Sequence, residues 1–272
     1  MSLYNLKYVF SIYIFEMARK NIPTEERINS YLLCADTGKG KSYTANKLLH
    51  EEYSHIPEDN RFLICPSFYR DIKKTLHKYF TNKDLVFLTM GDEFIPALIQ
   101  LIDKDRAEVE QKGHYKIDKK GKRVKIPRPP DSIPPYNEFL LMFDDCNQFL
   151  RKPGAIYSDL DLLFTNNRHL PLNIIVTQHN FKSSPPCIRK NARQMWLWST
   201  PLGELKQICE EQNELKNNRD FYDYFRFITK PKYSYFHINN KKQGIHKYDD
   251  NPVTFKEFKL LRDAGEIDSD DE

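Results

Sequence analysis

Short apolar runs recur along the chain, separated by stretches whose apolar positions follow helical spacing. The runs are Tyr31–Cys34 (YLLC), Arg61–Cys65 (RFLIC), Leu85–Thr89 (LVFLT), Glu138–Asp145 (EFLLMFDD), Leu172–Thr177 (LNIIVT) and Gln194–Ser199 (QMWLWS). Most are continuous rather than alternating, the pattern of strands covered on both faces. Pro66 stops the second run. Gly91–Arg106 carries Phe94, Ala97, Leu98, Leu101 and Ile102 at helical spacing, and Tyr157–Asn167 predicts another helix. Strands alternating with helices predict an α/β fold with a mainly parallel sheet flanked by helices.

The C-terminal part changes character. Leu202–Asn217 and Arg219–Ile228 predict two helices. Tyr233–Ile238 alternates like a strand, expected to pair with Gly244–Tyr248 across an Asn-Asn-Lys-Lys turn. Asp263–Glu272 holds six acidic residues in ten, the composition of a solvated tail. At the other end, Tyr8–Phe15 (YVFSIYIF) is apolar but too short to span a bilayer. No small-residue cleavage site follows it, so it predicts a docking segment rather than a signal peptide, and no membrane span is expected.

The segment Ser30–Leu49 (SYLLCADTGKGKSYTANKLL) organises the rest. A strand enters a glycine-bearing loop that ends in Gly40-Lys41-Ser42, and a helix pattern follows. This is the layout of a phosphate-binding P-loop. Gly38 and Gly40 let the backbone turn through positive φ and bring N–H groups to phosphate oxygens. Lys41 is placed for the β- and γ-phosphates, Ser42 for Mg²⁺, and the helix N-terminus for the same anion. The nucleotide-binding set is Asp36, Thr37, Gly38, Lys39, Gly40, Lys41, Ser42 and Tyr43. The motif has Gly at its first loop position, where this chain has Ala35.

Glu138–Asp145 ends in two carboxylates, Asp144 and Asp145. At the tip of a buried strand beside a P-loop, one carboxylate holds the Mg²⁺ shell and the next orients or deprotonates the attacking water. Leu172–Thr177 ends in Gln178, a polar strand tip that can touch the γ-phosphate or the water.

The chain has 272 residues, 40% hydrophobic and 29% charged, enough for one large core with appendages. Its five cysteines are scattered, with no CxxC and no zinc spacing, which argues against a disulfide scaffold or zinc module and for reduced intracellular thiols. Charge is unevenly placed. Lys112–Arg128 holds eight Lys or Arg against one Asp, a net +7; the whole chain is +4, so the remainder carries −3. Within it, Tyr115/Ile117 and Val124/Ile126 alternate with polar residues around Gly121, predicting a projecting β-hairpin. Such an arm suits a phosphate backbone, through Lys119, Lys120, Lys122 and Arg123. No base-reading motif accompanies it, so double-stranded DNA would be bound independently of sequence.

Together, ADTGKGKS, FLLMFDD and RHLPLNIIVTQHNF followed by CIRKNA resemble the poxvirus-type genome-packaging ATPases of the FtsK–HerA superfamily, over about Asn29 to Thr200. The resemblance implies an additional-strand P-loop NTPase core that hydrolyses ATP with Mg²⁺. Lys41 and Ser42 would bind nucleotide and metal, Asp144 would coordinate Mg²⁺, Asp145 would act as base and Gln178 as sensor. Arg168 would be an arginine finger serving the adjacent subunit, with Arg189 a second candidate. It also implies a ring, pentamer or hexamer, that pumps double-stranded DNA into a capsid or through a portal vertex, working in host cytoplasm or a viral factory and transiently on the capsid. The expected organisation is an N-terminal extension (1–28), an ATPase core (29–200) with the basic insertion (107–136), a C-terminal α+β extension (201–262) and an acidic tail (263–272). Two other readings stay open. A P-loop nucleotide kinase lacks a lid-like Arg cluster here and leaves the Gln178 strand unexplained. A nucleotide-binding scaffold would show little turnover.

Overall fold

A computed structural model describes residues 28–70, 76–112, 115–117, 123–125, 137–150, 155–166 and 170–267. The predicted strands form one sheet: β1 Ser30–Cys34, β2 Arg61–Ile64, β3 Val86–Phe87, β6 Phe139–Asp144, β7 Leu172–Gln178, β8 Gln194–Trp198 and β9 Tyr235–Asn239, in the order β3-β2-β6-β7-β1-β8-β9. Every neighbouring pair is parallel except β8 and β9. β4 Tyr115–Ile117 and β5 Arg123–Lys125 pair antiparallel as a separate hairpin, with Lys116 opposite Val124. The alternation inside the basic insertion therefore marks a real hairpin.

The continuous apolar runs are buried on both sides. Phe139, Leu141, Phe143, Ile174 and Val176 face one cluster, and Leu140, Met142 and Ile175 face the other. Helices α2 Phe94–Lys112, α3 Asn147–Leu150, α4 Ala155–Asn166, α5 Pro186–Asn191, α6 Leu202–Gln212 and α7 Asn218–Thr229 occupy the first side through residues such as Leu98, Leu163, Ile188, Leu205 and Phe225. Helix α1 Lys41–Glu52 covers the second through Ala45, Leu48 and Leu49. No helix among the described residues is long and apolar enough to cross a membrane.

Three expectations change. The Leu85–Thr89 run shortens to the two-residue β3, because Asn82 accepts a hydrogen bond from the Asp84 amide and winds Lys83–Leu85 into a 3-10 turn. Leu202–Asn217 ends at Gln212. Asn213 bonds the Leu215 amide, and Asn217 caps α7 through the Arg219 amide.

The third change is larger. Gly244–Tyr248 is a 3-10 turn, not the partner of β9, which instead pairs with β8. Tyr248 is fully buried; its hydroxyl donates to the Gln212 carbonyl and accepts from the Glu214 amide. Anchoring one aromatic to the end of α6 outweighs extending a hairpin into solvent, and the free edge of β8 accepts β9. A final helix, α8 Phe255–Asp263, starts from a capping box between Thr254 and Glu257. The apolar run 8–15, the end of the acidic tail (268–272) and much of the basic insertion lie outside the described residues.

Candidate active site

β1 delivers the chain to the loop through buried Ala35, whose amide bonds the Gln178 carbonyl at 3.1 Å. Among the described non-glycine residues only Asp145 and Tyr233 have positive φ, so Ala35 does not need the freedom of the glycine it replaces. Gly38 and Gly40 do, at φ 83° and 96°. At Gly38 a side chain would have space, so strain alone demands glycine. At Gly40 a Cβ would also sit 3.3 Å from Tyr233 Cδ1.

Gly40 is the N-cap of α1, and no side chain caps the helix. No acidic residue lies in its first turn. The first N–H groups of a helix have no partner within it, and with the positive dipole end they form a seat for an anion. Asp36, Thr37, Gly38, Ser42 and Tyr43 are exposed around that seat, and Lys39 is half-buried, its Nζ 3.5 Å from Ser199 Oγ.

Lys41 is buried, and its Nζ lies 2.8 Å from Asp145 Oδ1. The P-loop cation and the second carboxylate at the end of β6 thus meet. Asp145 reaches this position by turning into the left-handed region at φ 51°, which short Asp side chains tolerate. Strained backbone of this kind clusters at functional sites.

Asp144 is held differently. The Thr177 hydroxyl donates to its Oδ1 at 2.6 Å, and the Cys65 thiol donates to its Oδ2 at 3.4 Å. The same Thr177 oxygen accepts the Asp145 amide at 3.3 Å, so one hydroxyl ties the pair together. Register explains this: Asp144 of β6 is paired with Thr177 of β7. Burial pushes the Asp144 carboxyl above the ordinary range; Thr177 opposes that shift and the neighbouring Asp145 adds to it. Burial also pushes the Cys65 thiol up to about 12, with the Asp144 charge adding to the shift, so the thiol stays a neutral donor.

Among the described residues no salt bridge reaches Asp144. A buried carboxylate with only neutral donors fits a place that takes a cation in use. Ser42, exposed at the start of α1, carries a hydroxyl that would suit the same cation. The uncapped helix start, the glycine turns and the buried Lys41 fit a polyphosphate. The residues present therefore suit ATP and Mg²⁺.

Gln178 is fully buried, and among the described residues neither its Oε1 nor its Nε2 has a hydrogen-bond partner. Strand alternation puts it on the face opposite Thr177 and Asp144. Next to it, His179 Nε2 lies 3.5 Å from Asp145 Oδ2. Arg168 lies outside the described residues, as do Lys119, Lys120 and Lys122; Arg123 is on β5.

Arg189 is committed within its own chain. It is buried, its Nε and Nη2 donate to both Glu211 oxygens at 2.9–3.1 Å, and its Nη1 donates to the Ser184 carbonyl. Burial disfavours the Glu211 charge, yet hydrogen bonds from Arg189 and Gln207 hold its carboxyl below the ordinary range. Such an arginine is not presented to a neighbour.

Sequence reasoning did not single out Thr177, Cys65 or His179. The signal for Thr177 was present: two adjacent buried strands both end in polar residues, so a register of the two tips would have paired it with Asp144.

No protein-family model matches the chain, and no curated protein matches it. Solved structures do. The DNA-packaging ATPase B204 of Sulfolobus turreted icosahedral virus matches with a TM-score of 0.50 at 12% identity, over 78% of this chain and 93% of that one. The genome-packaging NTPase B204 of Sulfolobus turreted icosahedral virus 2, in complex with sulfate, matches with a TM-score of 0.49 at 14% identity, over 79% and 93%. ATPases 2 and 3 of EssC from Geobacillus thermodenitrificans match with a TM-score of 0.41 at 15% identity, over 63% and 32%. At these identities the likeness is one of fold. The chain has the α/β P-loop fold of the viral packaging ATPase in the first of these, the fold that the motifs imply.

Proposed function

We propose that this chain is a member of the FtsK–HerA superfamily that hydrolyses ATP to move double-stranded DNA into a viral or virus-like capsid. The observation that carries the reading is the meeting of Lys41 with Asp145, with Asp144 fixed beside them by Thr177. The fold likeness to a DNA-packaging ATPase along 93% of that chain supports it.

In this reading the first turn of α1 and Lys41 receive the phosphates, and Lys41 draws negative charge from the transferred group. Ser42 and Asp144 would hold Mg²⁺, which when bound neutralises charge on the phosphate oxygens. Asp145 gives up Lys41 to the nucleotide and turns to the attacking water, orienting it and accepting its proton. Thr177 keeps both carboxylates in place through that exchange. Gln178 lies at the tip of β7, where a rearrangement would give its amide a partner at the phosphate. Arg168 of an adjacent subunit in a ring would complete the site, and the basic insertion would contact the DNA backbone. The N-terminal extension, the core, the C-terminal extension that adds β9 to the sheet, and the acidic tail are proposed with the bounds given above, Asp263 being also the last residue of α8.

The test is phosphate release by the full chain with and without double-stranded DNA, alongside Lys41→Ala. DNA-stimulated release that Lys41→Ala abolishes is the expected result. Phosphoryl transfer to a nucleoside monophosphate would make the protein a kinase instead, and nucleotide binding without turnover would make it a scaffold.

A further inference from the structure

The P-loop has two sides. On one, across β7, stands β6 with Asp144 at its end and Asp145 just after it, so in the proposed function the terminal phosphate of a bound nucleotide points that way. On the other lies β8, and there the chain forms a cavity of about 510 Å³. Its floor is Gly38 and Lys39 of the P-loop with Ser199 and Thr200 after β8. Its wall comes from the C-terminal residues: Arg226 and Lys230 at the end of α7, then Lys232 and Tyr233 before β9. The volume falls within the range of small-molecule sites, about 300–1,000 Å³.

Tyr233 is held in an unusual way. Its backbone sits at φ 68°, a left-handed conformation that a bulky residue rarely adopts. The Trp198 indole N–H donates to its carbonyl at 3.2 Å, and Lys232 Nζ lies 4.8 Å from its ring centroid. The ring presses against Gly40 on one edge yet remains 55% exposed. Local strain thus keeps an open aromatic face beside the phosphate seat. Among the described residues the lining holds four cations and no acidic residue, which suits the α-phosphate and the π-face of a base.

We propose that this cavity receives the base and ribose of the nucleotide, with the Tyr233 ring stacking on the base. The inference rests on the reading of the P-loop as the phosphate site. The C-terminal residues would then sense an occupied site directly, since the α7–β9 connection supplies the stacking face.

The experiment is equilibrium binding by the full chain, comparing ATP with inorganic tripolyphosphate, a probe that has the phosphates and no nucleoside. The variants are Tyr233→Ala, Tyr233→Leu, Tyr233→Phe and Lys41→Ala, each with its melting temperature recorded. Loss of a base–aromatic stack weakens binding by about tenfold. Tyr233→Ala and Tyr233→Leu should therefore lose about tenfold for ATP and nothing for tripolyphosphate, while Tyr233→Phe keeps both. Lys41→Ala should weaken both ligands. If Lys41→Ala weakens both but Tyr233→Leu leaves the ATP-to-tripolyphosphate ratio unchanged, the cavity is not the nucleoside site and the P-loop reading survives. If Tyr233→Leu weakens tripolyphosphate as much as ATP, the cavity holds an anion instead. If Lys41→Ala weakens neither, the P-loop reading itself fails.

Discussion

Lys41 and Asp145, 104 residues apart in sequence, form a 2.8 Å ion pair between the P-loop and the tip of β6. In the proposed function, the pair sets the cation that receives the phosphates against the base. On that reading a γ-phosphate competes with Asp145 for Lys41, and Asp145 would then be released toward water. Asp145→Asn weakens this competition. ATP affinity should stay level or rise, while turnover falls by at least about 10², the scale of a lost general base. Binding titrations and single-turnover rates separate the two. Affinity that collapses with turnover would make Asp145 a metal ligand.

Arg168 and Arg189 should behave differently. Arg189 is a buried structural cation paired with half-buried Glu211, so removing it costs less than the ~3–5 kcal/mol of a fully buried pair. Arg189→Ala should lower the melting temperature markedly, and mixing with other variants should not repair it. Arg168→Ala should fold normally and lose hydrolysis, by about 10³ or more if it is an arginine finger. Mixed with inactive Lys41→Ala protein, it should regain activity, because some interfaces join an intact P-loop to an intact finger. No recovery in demonstrably mixed rings would confine Arg168 to its own subunit.

The legible parts of this chain were those where one physical demand dominates. Glu138–Asp145 and Leu172–Thr177 are apolar on both faces because the sheet is covered on both sides, so runs and strands coincide to within a residue or two. Gly38-Lys39-Gly40-Lys41-Ser42 was legible because positive φ and a helix start leave few residue choices. Gly244–Tyr248 was misread because five residues cannot separate strand alternation from a turn that buries one end. The burial of Tyr248 at the end of α6 is a tertiary fact. Thr254-x-x-Glu257, by contrast, was a local helix signal that went unread. The Lys41–Asp145 contact and the Tyr233 cavity depend on where strand ends meet, which one chain's pattern does not encode.

His237 on β9 links the C-terminal strand to the core. Its Nε2 lies 2.6 Å from Gln194 Oε1, and its amide bonds Asn251 Oδ1. Burial pushes its pKa below the ordinary 6.5; Asp250 opposes the shift and Lys242 adds to it. The unfolded chain therefore binds a proton near pH 6.5 while the folded one resists. Stability is full above that pH and is lost as pH falls below it, toward the depressed folded value. The melting temperature should drop between about pH 7.5 and pH 5.5, and His237→Gln should flatten the drop. An equally steep profile in the variant would assign the loss to other groups.

The basic insertion carries the strongest local charge in the chain, a net +7 over Lys112–Arg128, and its β4–β5 hairpin stands apart from the main sheet between α2 and β6. A segment joined to the sheet that way can meet DNA without altering the P-loop. Affinity built on phosphate contacts falls with salt by about 0.9 log units per contact per log unit of salt. Changing Lys119, Lys120, Lys122 and Arg123 to Ala should weaken binding to any duplex sequence. It should also flatten the salt slope by up to about four contacts' worth. Phosphate release without DNA should persist, and its stimulation by DNA should fall. The competing partner for the arm is an acidic protein surface, such as a capsid face or the acidic tail of a neighbour. An unchanged salt slope together with lost ring assembly in the fourfold variant would assign the arm to that surface.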